Sequence, residues 1–280
     1  MSYPHRRVVA FLIMVVIALS LPLITGCDSA KKDAQAAFEA ASATLDEKNA
    51  EVDAAVADVT EAMASEIKPL DESCMTACEE AVSAAQAAKV TAPEMATTAE
   101  EISAQANELE ATDYSVQLEA LATAKQALLD SIKQREQITN PTDAFVIQRL
   151  SGIDHIQTPT AVTEDMDPNG KLNKQGGYTA TVYFLSDYVD QDSIYVSETD
   201  STGNEVIDKG TQGGGAVEVY ANEDDANKRN EYLAGFDGTI FSNGYHAVHG
   251  TCVVRISDEM TATQQQELEA AVVEALTRLE

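Results

Sequence analysis

The sequence has no tryptophan, and Phe, Tyr and Trp together make up only 5% of its 280 residues, which weighs against a cleft that stacks sugar rings. Basic residues are also scarce. Against 47 Asp and Glu stand 18 Lys and Arg, for a formal net charge of −29. Such a field repels nucleic acid and anionic headgroups, and it attracts cations and basic partners. A solvated, soluble surface is its plainest consequence. Between residues 29 and 138 there is no glycine and a single tyrosine. Beyond the first residues no apolar run is long enough to span a bilayer. Nor do a nucleophile, a base and a metal-ligand set come together in any recognisable pattern, so the sequence predicts no enzyme.

What is present begins at the N-terminus, "MSYPHRRVVAFLIMVVIALSLPLITGC". Arg6 and Arg7 form a short positive segment, residues 8–25 carry no charge, and the run ends in Ile24-Thr25-Gly26-Cys27. Pro22 and the small residues before a cysteine favour a cleaved signal over a membrane-spanning helix. The ending resembles a bacterial lipobox, whose cysteine receives a diacylglycerol and becomes the first mature residue. That resemblance implies a signal peptide over 1–26 and a diacylglyceryl, palmitate-bearing Cys27. It also implies a protein held to the cell membrane by lipid on the extracytoplasmic face. Two acyl chains bind a membrane far better than one. Cleavage removes Arg6 and Arg7 and no acidic residue, taking the formal charge from −29 to −31.

The remaining length predicts two modules, since domains usually run about 100 to 200 residues. Residues 27–139 read as an Ala/Glu-rich helical bundle, or stalk. Phe38, Leu45, Val52 and Val59 recur every seven residues, with Val56 and Met63 between them, the seam of a helix that packs on partner helices as in a coiled coil. Lys68-Pro69 ends that helix. A second follows with Met75, Cys78, Val82 and Ala85 on one face. Thr91-Ala-Pro-Glu94 predicts a capping box opening a third, with Met95, Ile102, Ala106 and Leu109 inward. Thr112 or Asp113 can cap a fourth, whose stripe is Leu118, Leu121, Leu128 and Ile132. An antiparallel bundle buries such narrow stripes.

Near Asn140-Pro141 the composition changes, and Gly, Asn, Tyr and β-branched residues become common. Residues 140–280 predict an α+β domain, a mainly antiparallel sheet with helices on one face. In "GYTATVYFL", Tyr178, Ala180, Val182 and Phe184 alternate with polar residues, the pattern of a half-buried strand. "GAVEVYA" is a second strand, "EDDANKRNEYLAGF" a helix, and "YHAVHGTCVVRIS" one long strand with His246, Val248, Cys252, Val254 and Ile256 facing the core. Thr261-x-x-Gln264 caps a closing helix with Leu268, Val272, Ala275, Leu276 and Leu279 inward. The segments "VTEDMDPNGKLNKQGGYTATVYF", "GGGAVEVYANEDDANKRNEYL" and "HGTCVVRIS…TATQQQELEAAVVEAL" resemble the C-terminal module of secreted actinobacterial lipoproteins, over about residues 140–280. The helical half is similar only in style to three-helix repeats of cell-wall-associated proteins. The resemblance implies fold and location and supplies no reaction. Lys174-Gln175-Gly176 departs from it, standing where relatives often carry a basic residue and a proline.

Three groups of residues are candidate sites. In "TEDMDPNGKLNKQGG", Asp165, Asp167, Asn169 and Gly170 occupy the first four key positions of a calcium loop, but Gly176 stands where the bidentate Glu belongs. The competing reading is an Asp-Pro-Asn-Gly turn, in which Asn169 and Gly170 matter through conformation and the two aspartates matter little. Calcium is therefore the one candidate cofactor. Cys74 and Cys78 lie one helical turn apart. Outside the cytoplasm they can pair, although an intact helix holds their Cβ atoms about 5–6 Å apart and a disulfide wants about 3.5–4.5 Å. His246 and His249, three apart on a strand, point to opposite faces and cannot share one ion. His155 sits in a loop beside Asp154. Taken together, the sequence predicts a non-catalytic, lipid-anchored surface lipoprotein that presents an α+β domain to an envelope or extracellular protein. Its first competitor is a lipoprotein that binds a ligand or calcium through 163–177 and the glycines at 213–215.

Overall fold

The computed structural model describes residues 27–197, 201–239 and 244–280. The expected signal segment 1–26 lies outside them, and of Cys27 only the backbone, at the start of the first helix, is described.

Four helices come first: α1 (Cys27–Met63), α2 (Ser73–Ala88), α3 (Ala99–Glu110) and α4 (Ser115–Gln137). The seven-residue series Phe38, Leu45, Val52 and Val59 is buried, and Lys68-Pro69 lies in the break between α1 and α2. One boundary moves. The helix expected to open at Thr91 begins at Ala99, capped by Thr98, which accepts from the Glu101 N–H and donates to its carboxylate at 2.8 Å. Two Thr-x-x-Glu sequences compete here, and the first is held out of the helix. The Gln105 carboxamide accepts from the Ala96 N–H at 2.9 Å and donates to the Glu94 carbonyl at 3.0 Å. Met95, expected inward, is half-buried and precedes the helix.

The described chain divides into two compact units. One comprises the described residues up to Lys48 together with Val90–Thr112. Within it α3 buries Ile102, Ala106 and Leu109. Lys48 Nζ donates to the carbonyls of Glu110 (3.0 Å) and Thr112 (2.6 Å), acceptors left open where α3 ends. The other comprises Asn49–Lys89 and Asp113–Glu280, so neither unit begins at residue 140. In it α2 packs along α4, burying Cys78 and Ala85, and Leu121, Leu128 and Ile132.

The same unit holds an α+β arrangement. α5 (Asp143–Leu150) and α8 (Ala262–Thr277) flank an antiparallel sheet of β1 (Ile156–Ala161), β2 (Tyr178–Ser186), β3 (Gly214–Tyr220), β4 (Tyr245–His249) and β5 (Cys252–Ile256). Its order is β1-β2-β3-β5-β4. The edge strand β1, with Pro159 inside it and a register shift between Gln157 and Thr160, carries no alternating pattern that marks it in the sequence. Thr261 and Gln264 close a full capping box on α8.

The expected helical cover lies on one face. There Ala180, Val182, Phe184, Val217, Val219, Cys252, Val254 and Ile256 meet Val146 and Leu150 of α5 and Leu268, Val272 and Leu276 of α8. Ile138 and Leu70 close this apolar core from the chain before residue 140, and the Ile138 carbonyl accepts the Thr251 N–H at 3.0 Å. In addition, α6 (Glu205–Lys209) and α7 (Glu223–Ala234) pack on the opposite face, around Tyr183 and Leu185 and around Tyr178, Tyr220 and Val253. β2 is therefore buried on both sides rather than half-buried.

Two strand expectations need correction. The long strand is a hairpin, because Gly250 at φ +59° turns the chain between β4 and β5. The turn reverses the facing of its first half. His249 pairs with Cys252, and Val248 with Val253, so His246 and Val248 lie opposite the Cys252 face and do not share it. In β2, Tyr178 pairs with Tyr220 but Ala180 with Val219, so Thr179 is an extra residue. That bulge turns Tyr178 away from Ala180, Val182 and Phe184 and onto the other face.

Candidate functional site

The face opposite the apolar core holds the polar chemistry of this unit. Glu218 stands in the middle of β3 with no solvent exposure. Arg229 of α7 grips it with both Nε (2.8 Å) and Nη2 (2.9 Å), Arg255 of β5 donates from Nη1 at 2.8 Å, and the Tyr220 hydroxyl donates at 3.0 Å. Burial alone would raise the Glu218 carboxyl, but the two guanidiniums outweigh it and hold the pKa below the usual range. Burial pushes the Tyr220 hydroxyl up, and the Glu218 charge adds to it. Tyr183, buried beside them, is pushed up to about 12 by burial and then by Glu218.

The DPNG loop joins this cluster through Tyr178. The bulge at Thr179 delivers the Tyr178 hydroxyl to Asp167, to which it donates a short hydrogen bond. Asp167 also accepts from the backbone N–H groups of Asn169 (3.0 Å), Lys171 (2.5 Å) and Leu172 (2.7 Å). Burial works against its ionised form, yet the Tyr178 hydroxyl and these three donors lower its pKa. Burial and the Asp167 acceptor together raise that of Tyr178. The Asn169 amide reaches the hydroxyls of Tyr178 and Tyr183, both at 3.4 Å. Gly170, at φ +59°, closes the turn by donating to the Asp167 carbonyl at 3.2 Å. Of the three candidate calcium ligands, Asp167 and Asn169 meet on Tyr178. Asp165 is bonded to Thr163 at 2.5 Å, which lowers its pKa. Among the described residues no three His, Cys, Asp or Glu side chains group as metal ligands. The expectation that both aspartates matter little is wrong for Asp167, which organises the loop.

Between this loop and α7 lies a cleft of about 450 Å³, floored by Tyr178 and Tyr220 and rimmed by Lys171, Lys228, Arg229 and Tyr232. The sequence carries one legible sign of this region. A glutamate in the apolar run "GAVEVYA" and an arginine in "CVVRI" lie on neighbouring strands and bear opposite charge. Nothing in the sequence marks the bulge that brings Tyr178 to them.

The other candidates stand apart. Gly215 lies under the Phe184 ring, and a Cβ there would run into that ring and the Arg255 carbonyl, which accounts for a glycine without any ligand. Cys74 and Cys78 are both free thiols; Cys78 is fully buried, and burial first and the neighbouring Cys74 second raise its pKa. Burial pushes the Cys252 thiol up to about 12. His246 contacts Asn230 at 2.7 Å and Asp237 at 3.3 Å, while His249 contacts Glu269 at 2.6 Å from the other face. His155 stacks on Tyr188 with ring centroids 4.0 Å apart and contacts Asp187 at 2.7 Å. Comparison of the chain with protein-family models, with curated proteins and with solved structures finds no match.

Proposed function

We propose that the protein is a lipoprotein of the extracytoplasmic membrane face, anchored through lipid on Cys27, and that it works by binding and not by catalysis. The helical unit that follows Cys27 and includes α3 serves as the stalk, and the unit that holds the sheet meets an envelope or extracellular protein. The observation that carries the reading is the ordered series of Arg6-Arg7, an uncharged run and Ile24-Thr25-Gly26-Cys27. Two further observations support it. Among the described residues no helix is long and apolar enough to cross a membrane. The titratable groups gathered on the polar face are held away from neutral pKa values, Glu218 and Asp167 downward and the tyrosines upward, which suits a fixed scaffold better than proton transfer near pH 7. The resemblance of residues 140–280 to secreted actinobacterial lipoproteins points the same way.

Replacing Cys27 with Ala tests the anchor. The variant is expected to accumulate as an unlipidated precursor that takes up no labelled palmitate. Palmitate incorporation equal to wild type would contradict the reading. A second reading, a surface lipoprotein that binds a small ligand, is favoured by the cleft between the DPNG loop and α7.

A further inference from the structure

One carboxylate, Glu218, is shared by two guanidiniums, and all three are largely buried: the side chains of Glu218, Arg255 and Arg229 are 0%, 7% and 19% exposed. Arg229 spends Nε and Nη2 on Glu218, and its Nη1 has no partner among the described residues. Because Glu218 holds two of its nitrogens, this guanidinium is fixed in place where it rims the cleft.

Two lysines converge on the same cleft. The exposed Lys171 side chain has no acceptor among the described residues. Among the described residues Lys228 pairs only with Asp225, at 3.1 Å, and its side chain is 72% exposed. In a chain where acidic residues outnumber basic ones 47 to 18, three cations meet here around a single lining carboxylate. Tyr232, 60% exposed on α7, lies with its ring centroid 5.6 Å from the Arg229 guanidinium carbon and offers a flat apolar wall. The cleft volume of about 450 Å³ is that of a small-molecule site.

We propose that this cleft binds a small organic anion, its carboxylate or phosphate held by Arg229 Nη1, Lys171 and Lys228, and its body lying on Tyr232. Arg229 supplies the directional contact and the lysines the field, as planar guanidinium and mobile ammonium groups do at oxyanion sites. The inference deepens the binding reading by giving the α+β unit a ligand class. The lipid anchor is tested at Cys27 and stands or falls separately.

Thermal melting of the purified full chain in sodium phosphate, sodium benzoate or sodium chloride at equal ionic strength and pH tests it. Wild type is expected to gain melting temperature saturably in phosphate or in benzoate over chloride. A response to phosphate alone assigns a phosphoryl ligand, and a response to benzoate assigns a carboxylate. The double variant Lys171→Gln/Lys228→Gln changes two exposed side chains and leaves the Glu218 cluster intact. It is expected to melt as wild type does in chloride and to need at least tenfold more anion for the same shift. Lys133→Gln, an exposed position on α4, is expected to respond like wild type. Equal melting in all three salts would overturn the proposal. So would a shift that persists undiminished in the double variant, the mark of general salting-out.

Discussion

The two faces of the sheet are built from the same five strands by alternation, yet they are stabilised in different ways. The apolar face is filled by shape, with Phe184, Val217, Val254 and Ile256 against Leu268, Val272 and Leu276. It is also finished from outside, since Leu70 and Ile138 reach it from the chain before residue 140. The polar face is local. Its central carboxylate, both guanidiniums and the loop that docks on Tyr178 all come from residues 167–255, and each group is fixed by direction and charge rather than by volume. Loss of a methylene leaves a small void on the first face, whereas loss of one charge on the second strands its partners in a dry place.

Glu218→Ala therefore breaks the comparison hardest. It leaves two buried guanidiniums unpaired and is expected to cost about 3–5 kcal/mol, read by denaturant unfolding. Glu218→Gln is expected to cost less, and the Glu218→Ala/Arg255→Ala pair less than the sum of its members, since the two share one interaction. On the apolar face, Ile138→Ala is expected to cost about 2–5 kcal/mol through a cavity. For the same reason a 140–280 fragment is expected to melt below one that starts at residue 134. Equal melting of the two fragments would show that Ile138 does not help to close this core.

The DPNG loop gives smaller effects with a fixed order. Asp167→Asn replaces one of the two oxygens that between them accept from Tyr178 and three backbone N–H groups with an NH2 donor, and is expected to cost about 1–3 kcal/mol. Gly170→Val forces a β-branched residue into positive φ and is expected to cost about 1–3 kcal/mol. Asp165→Asn is expected to stay within about 0.5 kcal/mol, as surface changes usually do. Equal costs at Asp165 and Asp167 would remove the loop's dependence on Tyr178.

Acid should separate the faces as well. Glu218 and Asp167 have pKa values lowered by folding. Their contribution is complete above their unfolded values near 4 and is lost as pH falls through the folded ones. Melting is thus expected to drop below about pH 4, and Asp167→Asn is expected to flatten that drop.

The helices were legible because their apolar residues recur at helical spacing, and Thr261-x-x-Gln264 marks the start of α8 without ambiguity. Where two caps were offered, the side chain of Gln105 decided, and local sequence could not foresee a contact 9 to 11 residues away. The α+β class was readable from strands and helices in order. The β4–β5 hairpin was hidden because β-formers run through it on both sides of Gly250, and its unusual length was the available warning. Asp167, Arg229 and Tyr178 make a site only through a bulge and a sheet register, which are properties of paired strands and not of either strand alone. The Glu218–Arg255 pairing, by contrast, left opposite charges in two apolar strands where a reader could find them.

The proposed anchor to the membrane is lipid on one thiol, that of Cys27, and it is independent of the cleft. Mass spectrometry of the native chain's N-terminal peptide tests that claim most directly. The account predicts a peptide that begins at Cys27 and carries a thioether-linked diacylglyceryl group, with nothing retained from residues 1–26. A native peptide that keeps those residues, or begins at an unmodified Cys27, would contradict it.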